Sequence, residues 1–207
     1  MIKAYAFAAA LAVAALLGGT WWMTYGRAPA DAFAACRASA VAGGAGSVGG
    51  PFTLVDGTGR TVTDKDVITR PSLVYFGYTF CPDVCPLDVA RNADAVDALQ
   101  ARGYDVQPVF ISIDPERDTP EVVGEFARYM HDDMIGLTGS VEQVKAASQA
   151  YKTYFRKQNS DDPDYYLVDH STFTYLVLPG HGFVEFFRRD DTADEIAERA
   201  ACFIDAA

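Results

Sequence analysis

The stretch "YFGYTFCPDVCP", residues 75–86, places Cys81 and Cys85 four residues apart, each followed by a proline. It completes the apolar run "SLVYFGY" of residues 72–78, which is typical of a central β-strand buried on both faces. Proline is tolerated in the first turn of a helix, so the two prolines indicate that a helix begins here. Residues four apart on a helix have Cβ atoms ~5–6 Å apart, so the two thiols can converge. A helix N-terminus also stabilises thiolate, the form that acts as nucleophile and metal ligand.

The cysteine pair by itself allows a structural disulfide, a redox disulfide or a metal site. A structural disulfide is disfavoured, because so short a loop gains the least entropic stabilisation from it. The deciding feature is a third ligand, and two thiolates with one imidazole suit Cu(I), or Cu(II) with a further oxygen ligand. Structural zinc normally takes four protein ligands. A c-type haem needs the sequence Cys-x-x-Cys-His, which the chain lacks.

Among the three histidines, His170 is the predicted ligand. It interrupts two apolar runs in "YYLVDHSTFTYLVL", residues 165–178, where the chain should enter or leave the sheet beside the core. Asp169 beside it could orient its ring, as the outer neighbours of metal ligands commonly do. A buried histidine without a metal role is the alternative. His131 is predicted to cap the end of a helix, and His181 to lie in a solvated turn.

The remainder of the chain alternates strands and helices. Apolar runs predict strands at 51–56, 72–78, 106–114, 173–178 and 183–187, the first followed by a Gly-rich turn and a second short strand. Helical periodicity predicts helices from the cysteines to Gly103 and at 119–130, 141–155 and 192–204. This order of elements predicts an α/β, thioredoxin-like fold with a mixed central sheet flanked by helices.

The N-terminus is predicted to anchor the protein in a membrane. Residues 4–23 carry no charge and are numerous enough to cross a bilayer core of ~30 Å. Trp21, Trp22 and Tyr25 would then lie in an interfacial aromatic belt. A cleavable signal peptide is the alternative, because small residues follow the apolar run. The predicted division is an N-terminal transmembrane helix at 1–25, a flexible Ala/Gly-rich tether at 26–50 and the folded domain at 51–207.

Charge and cysteine content restrict the partners and the compartment. The formal net charge of −11 argues against a nucleic-acid partner, which would favour clustered Lys and Arg. An exported domain lies in an oxidising space, where exposed thiols tend to pair. Cys202 falls on the polar face of the last helix, so we expect a disulfide between Cys36 and Cys202. The alternative is two unrelated thiols, one of them lipidated or joined to another molecule.

Three blocks of sequence together resemble the signature blocks of the Sco (SenC/PrrC) family. They are "YFGYTFCPDVCP", "VFISIDPERDTP" and "DYYLVDHSTFTYLV", and the resemblance runs from about residue 51 to residue 201. It implies a membrane-anchored, thioredoxin-like copper protein that helps to assemble cytochrome c oxidase. Carried over residue by residue, it implies copper ligands at Cys81, Cys85 and His170.

The resemblance also implies a candidate secondary ligand. The family's acidic residue in the "SIDP" block falls on Asp114, at the end of a predicted strand. The alternative for Asp114 is a turn residue without a metal role. Asp169, next to His170, is a second candidate. Arg117 and Asp118 would organise the same loop.

The function that the resemblance implies is delivery of copper to the dinuclear copper site of cytochrome c oxidase subunit II. One ion per chain, Cu(I) or Cu(II), would arrive from an upstream periplasmic copper donor and leave by ligand exchange between thiolates. The alternative is a thiol–disulfide reductase, in which Cys81 and Cys85 reduce the cysteines of that site and become a Cys81–Cys85 disulfide. A peroxidase or general disulfide oxidoreductase is less favoured, because the usual redox motif is Cys-x-x-Cys and His170 would have no role. The expected location is the bacterial inner membrane with the domain facing the periplasm, or the equivalent intermembrane space.

Overall fold

In the computed structural model, which describes residues 2–25, 31–37, 45–162 and 165–207, the chain divides into two units. These are Met1–Ala34 and Ala35–Ala207. The division falls inside the stretch 26–50 that the sequence predicts to be a tether. Residues 26–30 and 38–44 of that stretch lie outside the described residues.

The first unit contains the helix α1 (Ile2–Tyr25). A turn follows, in which the Phe33 N–H donates to Asp31 Oδ1 at 3.1 Å. Among the residues that the structure describes, no helix is both long and apolar enough to cross a membrane. A helix is present where one was predicted, over 1–25. Its prediction as a transmembrane segment is not supported.

The second unit is built on a mixed sheet of seven strands. These strands are β1 (Thr53–Asp56), β2 (Thr61–Thr63), β3 (Ser72–Gly77), β4 (Gln107–Ser112), β5 (Ile135–Thr138), β8 (Thr174–Leu178) and β9 (Gly182–Phe187). Their order across the sheet is β2-β1-β5-β4-β3-β8-β9. β3, β4 and β5 run parallel, and the other neighbouring pairs are antiparallel. All residues of β3 and β4 are buried, as their continuous apolar runs predict for strands covered on both faces.

In the described part of this unit, five α-helices and a short 3-10 helix (Ala45–Ser47) accompany the sheet. The α-helices are α2 (Asp64–Val67), α3 (Val84–Ala101), α4 (Pro120–Met130), α5 (Val141–Ala150) and α6 (Ala193–Asp205). α3 packs against α6, and α4 packs against β5. α4 and α6 each begin with a side-chain cap: the Thr119 side chain accepts from the Val122 N–H, and Thr192 forms a capping box with Glu195. The α/β, thioredoxin-like class with a mixed central sheet flanked by helices is confirmed.

Several parts of the fold differ from the prediction, among them the short helix α2, which was not predicted. The helix predicted over 141–155 ends at Ala150, because Lys152 takes up a left-handed conformation, with φ of 54°. Phe155 consequently lies in a strand, β6 (Phe155–Lys157), which pairs with β7 (Val168–His170) in a separate two-stranded sheet. The strand β5 was also not predicted, since four residues with a glycine among them show no clear period.

The described parts of residues 35–50 contact the rest of the second unit. Cys36 forms a disulfide with Cys202 of α6, with an S–S distance of 1.96 Å. Arg37 Nη1 donates to the carbonyl oxygen of Val184 at 2.7 Å, and Val48 packs against the hydrophobic core. The structure thus contains the disulfide that the sequence predicts, and Cys202 is exposed, as its place on the helix indicated.

Candidate metal centre

The two candidate thiols lie at the junction of β3 and α3. Cys81 belongs to the loop that leaves β3, and Cys85 is the second residue of α3. The Cys85 N–H donates to Cys81 Sγ at 3.3 Å, which brings the two side chains together without a reversal of the chain. Cys81 is 7% exposed and Cys85 is fully buried, and both are free thiols.

His170 reaches the same place from the end of β7. Its Nδ1 lies 2.8 Å from the carbonyl oxygen of Ser171. A carbonyl oxygen only accepts, so Nδ1 carries a proton, and in the neutral ring Nε2 then keeps its lone pair. Nε2 points at Cys85 Sγ, at 3.3 Å. The edge-on rings of Tyr75 and Tyr78, with centroids 6.3 and 5.8 Å from that of the imidazole, hold it in this orientation.

One ligand atom from each of Cys81, Cys85 and His170 lies within 4.8 Å of the other two. A single ion can reach all three, because metal bonds to sulfur and nitrogen measure ~2.0–2.3 Å. Two sulfur atoms and one unprotonated imidazole nitrogen form a soft ligand set, which is the kind that Cu(I) prefers. The residues present therefore fit copper.

The two thiols differ in acidity. A hydrogen bond from the Cys85 thiol holds the pKa of Cys81 well below its ordinary value, against the effect of burial. The same hydrogen bond and burial raise the pKa of Cys85. Within the pair, Cys81 is therefore the more acidic thiol. Burial also raises the pKa of Tyr78 to about 12; the Val168 N–H opposes this rise and the charge on Cys81 adds to it.

The two candidate secondary ligands take part in other contacts. Asp114 is buried, with Oδ2 2.6 Å from Arg117 Nε and Oδ1 accepting from the Tyr166 hydroxyl at 2.6 Å. Asp169 lies beside His170 on β7, where successive side chains point to opposite faces, and its Oδ2 is 3.1 Å from Arg156. Within the described residues neither belongs to the cluster of three ligand atoms.

The two other histidines also lie outside this cluster of described residues. His131 ends α4 as predicted, and its Nδ1 accepts from the Asp133 N–H at 3.0 Å. His181 is exposed in the turn between β8 and β9, also as predicted.

Comparison with known proteins identifies the family. The family model SCO1/SenC matches residues 41–205. The chain belongs to the SCO1/SenC family. Protein SenC of Rhodobacter capsulatus is 53% identical over 204 residues, which cover 99% of this chain and 91% of that protein. Protein SCO1 homolog 1, mitochondrial, of Arabidopsis thaliana is 42% identical over 156 residues, and these cover 75% of this chain but 46% of that longer protein.

Solved structures of the family share the fold. Arabidopsis thaliana ScoI with copper bound has a TM-score of 0.72 at 40% identity, covering 76% of this chain and 99% of that one. BsSco is described as having a disulfide switch and as a member of the Sco family of cytochrome c oxidase assembly proteins. Its TM-score is 0.61 at 27% identity, covering 74% of this chain and 91% of that one.

Sequence reasoning missed Gly77, a residue of this SCO1/SenC site whose role depends on its lack of a side chain. A Cβ atom added to Gly77, the last residue of β3, would lie 3.1 Å from Cys85 Sγ and 2.8 Å from Tyr75 Cε1. Glycine therefore gives the buried thiol room beside the strand. The signal was present, since this glycine interrupts an apolar run directly before the cysteine loop.

A second residue, Asp118, fastens the cysteine loop to the end of β4. It is fully buried, and its Oδ2 accepts from the Thr79 N–H at 3.0 Å and from the Ser112 hydroxyl at 2.5 Å. Its Oδ1 accepts from the Thr79 hydroxyl. Because Thr79 precedes Cys81 by two residues, Asp118 ties the first thiol to the end of β4. The sequence predicted that Asp118 organises the loop of Asp114, but did not indicate that it also holds the cysteine loop.

Proposed function

We propose that this SCO1/SenC protein binds one copper ion through Cys81, Cys85 and His170 and delivers it, during assembly of cytochrome c oxidase, to the dinuclear copper site of subunit II. The observation that carries the proposal is the convergence of two thiols and one unprotonated imidazole nitrogen within 4.8 Å. The copper-bound Arabidopsis relative, at 40% identity and with the same fold, supports it.

The environment of each ligand suggests how the copper enters and leaves. Cys81 already favours the thiolate, which is the ligating form. Cys85, whose pKa is raised by its hydrogen bond to Cys81 and by burial, must lose its proton before it can bind as thiolate. His170 is half-buried and Cys81 is 7% exposed, whereas Cys85 is fully buried. An incoming thiolate of the acceptor therefore meets the copper on the side of Cys81 and His170, and Cys85 releases it last.

The test is a Cu(I) titration of the full chain, with Cys81 and Cys85 reduced, against a competing chelator. We expect one equivalent to bind tightly, His170→Ala to weaken binding, and the Cys81→Ser, Cys85→Ser double variant to abolish it. His181→Ala is the matched control, because this histidine is exposed in a turn outside the cluster. Absence of competitive binding by the wild-type chain, or equal losses in His170→Ala and His181→Ala, would contradict the proposal.

A thiol–disulfide reductase is the second candidate, and the thiolate character of Cys81 favours it. The Cys81 thiolate would attack a disulfide of the target, forming a mixed disulfide and releasing one target thiolate, which takes up a proton. Cys85, after losing its proton, would attack Cys81 Sγ, forming the Cys81–Cys85 disulfide and releasing the second target thiol. The target gains two electrons and the pair loses two. With a disulfide-bonded peptide as substrate, Cys85→Ser should accumulate the mixed disulfide at Cys81, and failure to trap it would remove this candidate.

Attachment to a membrane, with the folded unit facing the periplasm or an equivalent space, and receipt of copper from a donor there remain part of the proposal. Their support is the uncharged run of residues 4–23 and the Cys36–Cys202 disulfide, which suits an oxidising compartment. Carbonate extraction of membranes from cells that express the full chain tests the attachment. Release of the protein into the supernatant would contradict it.

A further inference from the structure

The third ligand of the candidate site is carried by a structure separate from the seven-stranded sheet. His170 ends β7, which pairs only with β6 among the described strands, Phe155 lying opposite His170. The cysteines, by contrast, follow β3, an inner strand of the main sheet. The distance between His170 and the thiols therefore depends on the contacts that fasten the β6–β7 sheet to the cysteine loop.

Tyr166, two residues before β7, provides several of those contacts on the side of the small sheet. It is buried, and its hydroxyl donates to Asp114 Oδ1 at 2.6 Å. The guanidinium carbon of Arg117 lies 3.6 Å from the centre of its ring, and Lys157 Nζ, at the end of β6, lies 3.7 Å from it. Lys157 also forms an ion pair with Glu116 at 2.6 Å. The loop between β4 and α4 thus holds both strands of the small sheet.

Arg117 makes a second set of contacts on the side of the cysteines. Its guanidinium carbon lies 4.8 Å from the ring centre of Phe80, the residue before Cys81, and 5.8 Å from that of Tyr78. Nε is 2.6 Å from Asp114 Oδ2, and the side chain is only 13% exposed. Tyr78 completes the connection, because its hydroxyl accepts from the Val168 N–H of β7 at 3.3 Å. One planar cation is therefore packed among the aromatic residues of both ligand-bearing segments.

We propose that Arg117 is a positioning residue for His170. Its ion pair with Asp114 and its stacking on Tyr166 and Phe80 fix the β6–β7 sheet against the cysteine loop. This inference rests on the proposed function, since it assigns Arg117 to the placement of one of the three copper ligands. The planar guanidinium of Arg117 lies with its carbon over the rings of Tyr166 and Phe80 while its Nε pairs with Asp114, a planar, forked geometry that the compact ammonium group of lysine does not reproduce.

The experiment uses the full chain and two measurements. The variants are Arg117→Met, which keeps much of the side-chain volume, and Arg117→Lys, which keeps the charge. Arg199→Met is the matched control, because Arg199 is also largely buried, pairs with a buried acid, Glu185, at 3.2 Å, and lies 4.8 Å from the centre of a ring, that of Phe187. The first measurement, made without metal, is amide hydrogen exchange at Val168.

We expect exchange at Val168 to become at least about tenfold faster in Arg117→Met, to change less in Arg117→Lys and to stay unchanged in Arg199→Met. The second measurement is Cu(I) affinity, where loss of a residue that orients a ligand costs about 10–100-fold. As a single substitution, Arg117→Met should weaken Cu(I) binding by that factor. Added to His170→Ala, it should have little further effect on the affinity. This non-additivity is the signature of an action through His170.

The outcomes distinguish failure of the positioning role of Arg117 from failure of the proposed copper-binding function. Unchanged exchange at Val168, or a loss of affinity that adds in full to that of His170→Ala, would overturn the positioning role. If the wild-type chain binds no Cu(I) while Val168 exchange still responds to Arg117→Met, the proposed function fails and the positioning role stands. Should Arg117→Met not fold, Tyr166→Leu, which removes the stacked ring and leaves the Arg117–Asp114 pair, provides the same two measurements.

Discussion

Asp118→Ala should destabilise the protein and loosen the cysteine loop, whereas Asp118→Asn should do neither to the same degree. The carboxylate is fully buried and accepts three hydrogen bonds, from the Thr79 N–H, the Thr79 hydroxyl and the Ser112 hydroxyl. Alanine removes all three acceptors. The two hydroxyl groups can turn to other partners, but the amide of Thr79 is fixed by the backbone.

The expected loss in the free energy of unfolding follows from these hydrogen bonds. A buried donor left without an acceptor costs about 1–3 kcal/mol, and each hydrogen bond to a charged group contributes about 1.5 kcal/mol or more. Removal of a buried charge offsets part of this loss, so about 3 kcal/mol is expected for Asp118→Ala. In Asp118→Asn, the amide oxygen can take the place of Oδ2, and the amide nitrogen can donate to the Thr79 hydroxyl once that group rotates. The cost of the asparagine variant should therefore be about 1 kcal/mol or less.

The assay is urea denaturation of the wild type and both variants at pH 4 and pH 7. Burial raises the pKa of Asp118, although hydrogen bonds from Ser112 and Thr79 oppose the rise. A carboxyl group with a raised pKa disfavours the folded state as it ionises, so its contribution to stability falls as the pH increases above about 4. The free energy of unfolding of the wild type should consequently fall, relative to that of Asp118→Asn, between pH 4 and pH 7. Equal costs for alanine and asparagine, or a cost for alanine below about 1 kcal/mol, would refute the argument from hydrogen-bond geometry.

Three further predictions follow from other parts of the fold. Gly77→Ala should reduce stability by about 1–3 kcal/mol through overpacking and also weaken Cu(I) binding; unchanged affinity in the chelator titration would show that the thiol tolerates the added methyl group. Replacing Cys36 and Cys202 together by serine opens a loop with a sequence separation of 166 residues and should cost about 2–5 kcal/mol in urea denaturation, with little effect on Cu(I) affinity. Hydrogen bonds from Thr58 and Arg60 outweigh burial and lower the pKa of Asp56 to about 2. The stability that this provides should be present above about pH 4 and be lost as the pH falls towards 2, by about 1 kcal/mol after allowance for screening, and Asp56→Asn should abolish the difference.

The cysteine loop shows what local sequence can predict. A run of six buried residues followed by two prolines determines a strand, a loop and a helix start without reference to the rest of the chain. The role of Asp118 could not be predicted in the same way, because it depends on the register of two strands. Gly77 of β3 lies opposite Ser112 of β4 in a parallel pair, so the loops that follow the two strands meet at one edge of the sheet.

His170 illustrates the same limit for the candidate site. Its place between two apolar runs indicated a ligand, yet β7 has three residues and its partner β6 has three, too few to show a period. The contacts that orient this small sheet join residues far apart in the chain, such as Tyr166 with Asp114 and Val168 with Tyr78. Such contacts arise from tertiary packing, which the pattern of a single sequence does not encode locally.

The Cys36–Cys202 disulfide has a consequence for the order of events during biosynthesis. A chain emerges from its N-terminus, so Cys36 can meet Cys81 and Cys85 long before Cys202 has been made. Four cysteines allow three pairings, and two of these would join the thiols needed for copper to Cys36 and Cys202. We expect that an early Cys81–Cys85 bond, favoured by their separation of four residues, occupies both thiols until α6 has folded, and that alkylation trapping during oxidative refolding finds this bond first. The same short spacing that builds the candidate site would then also keep Cys36 available for its correct partner.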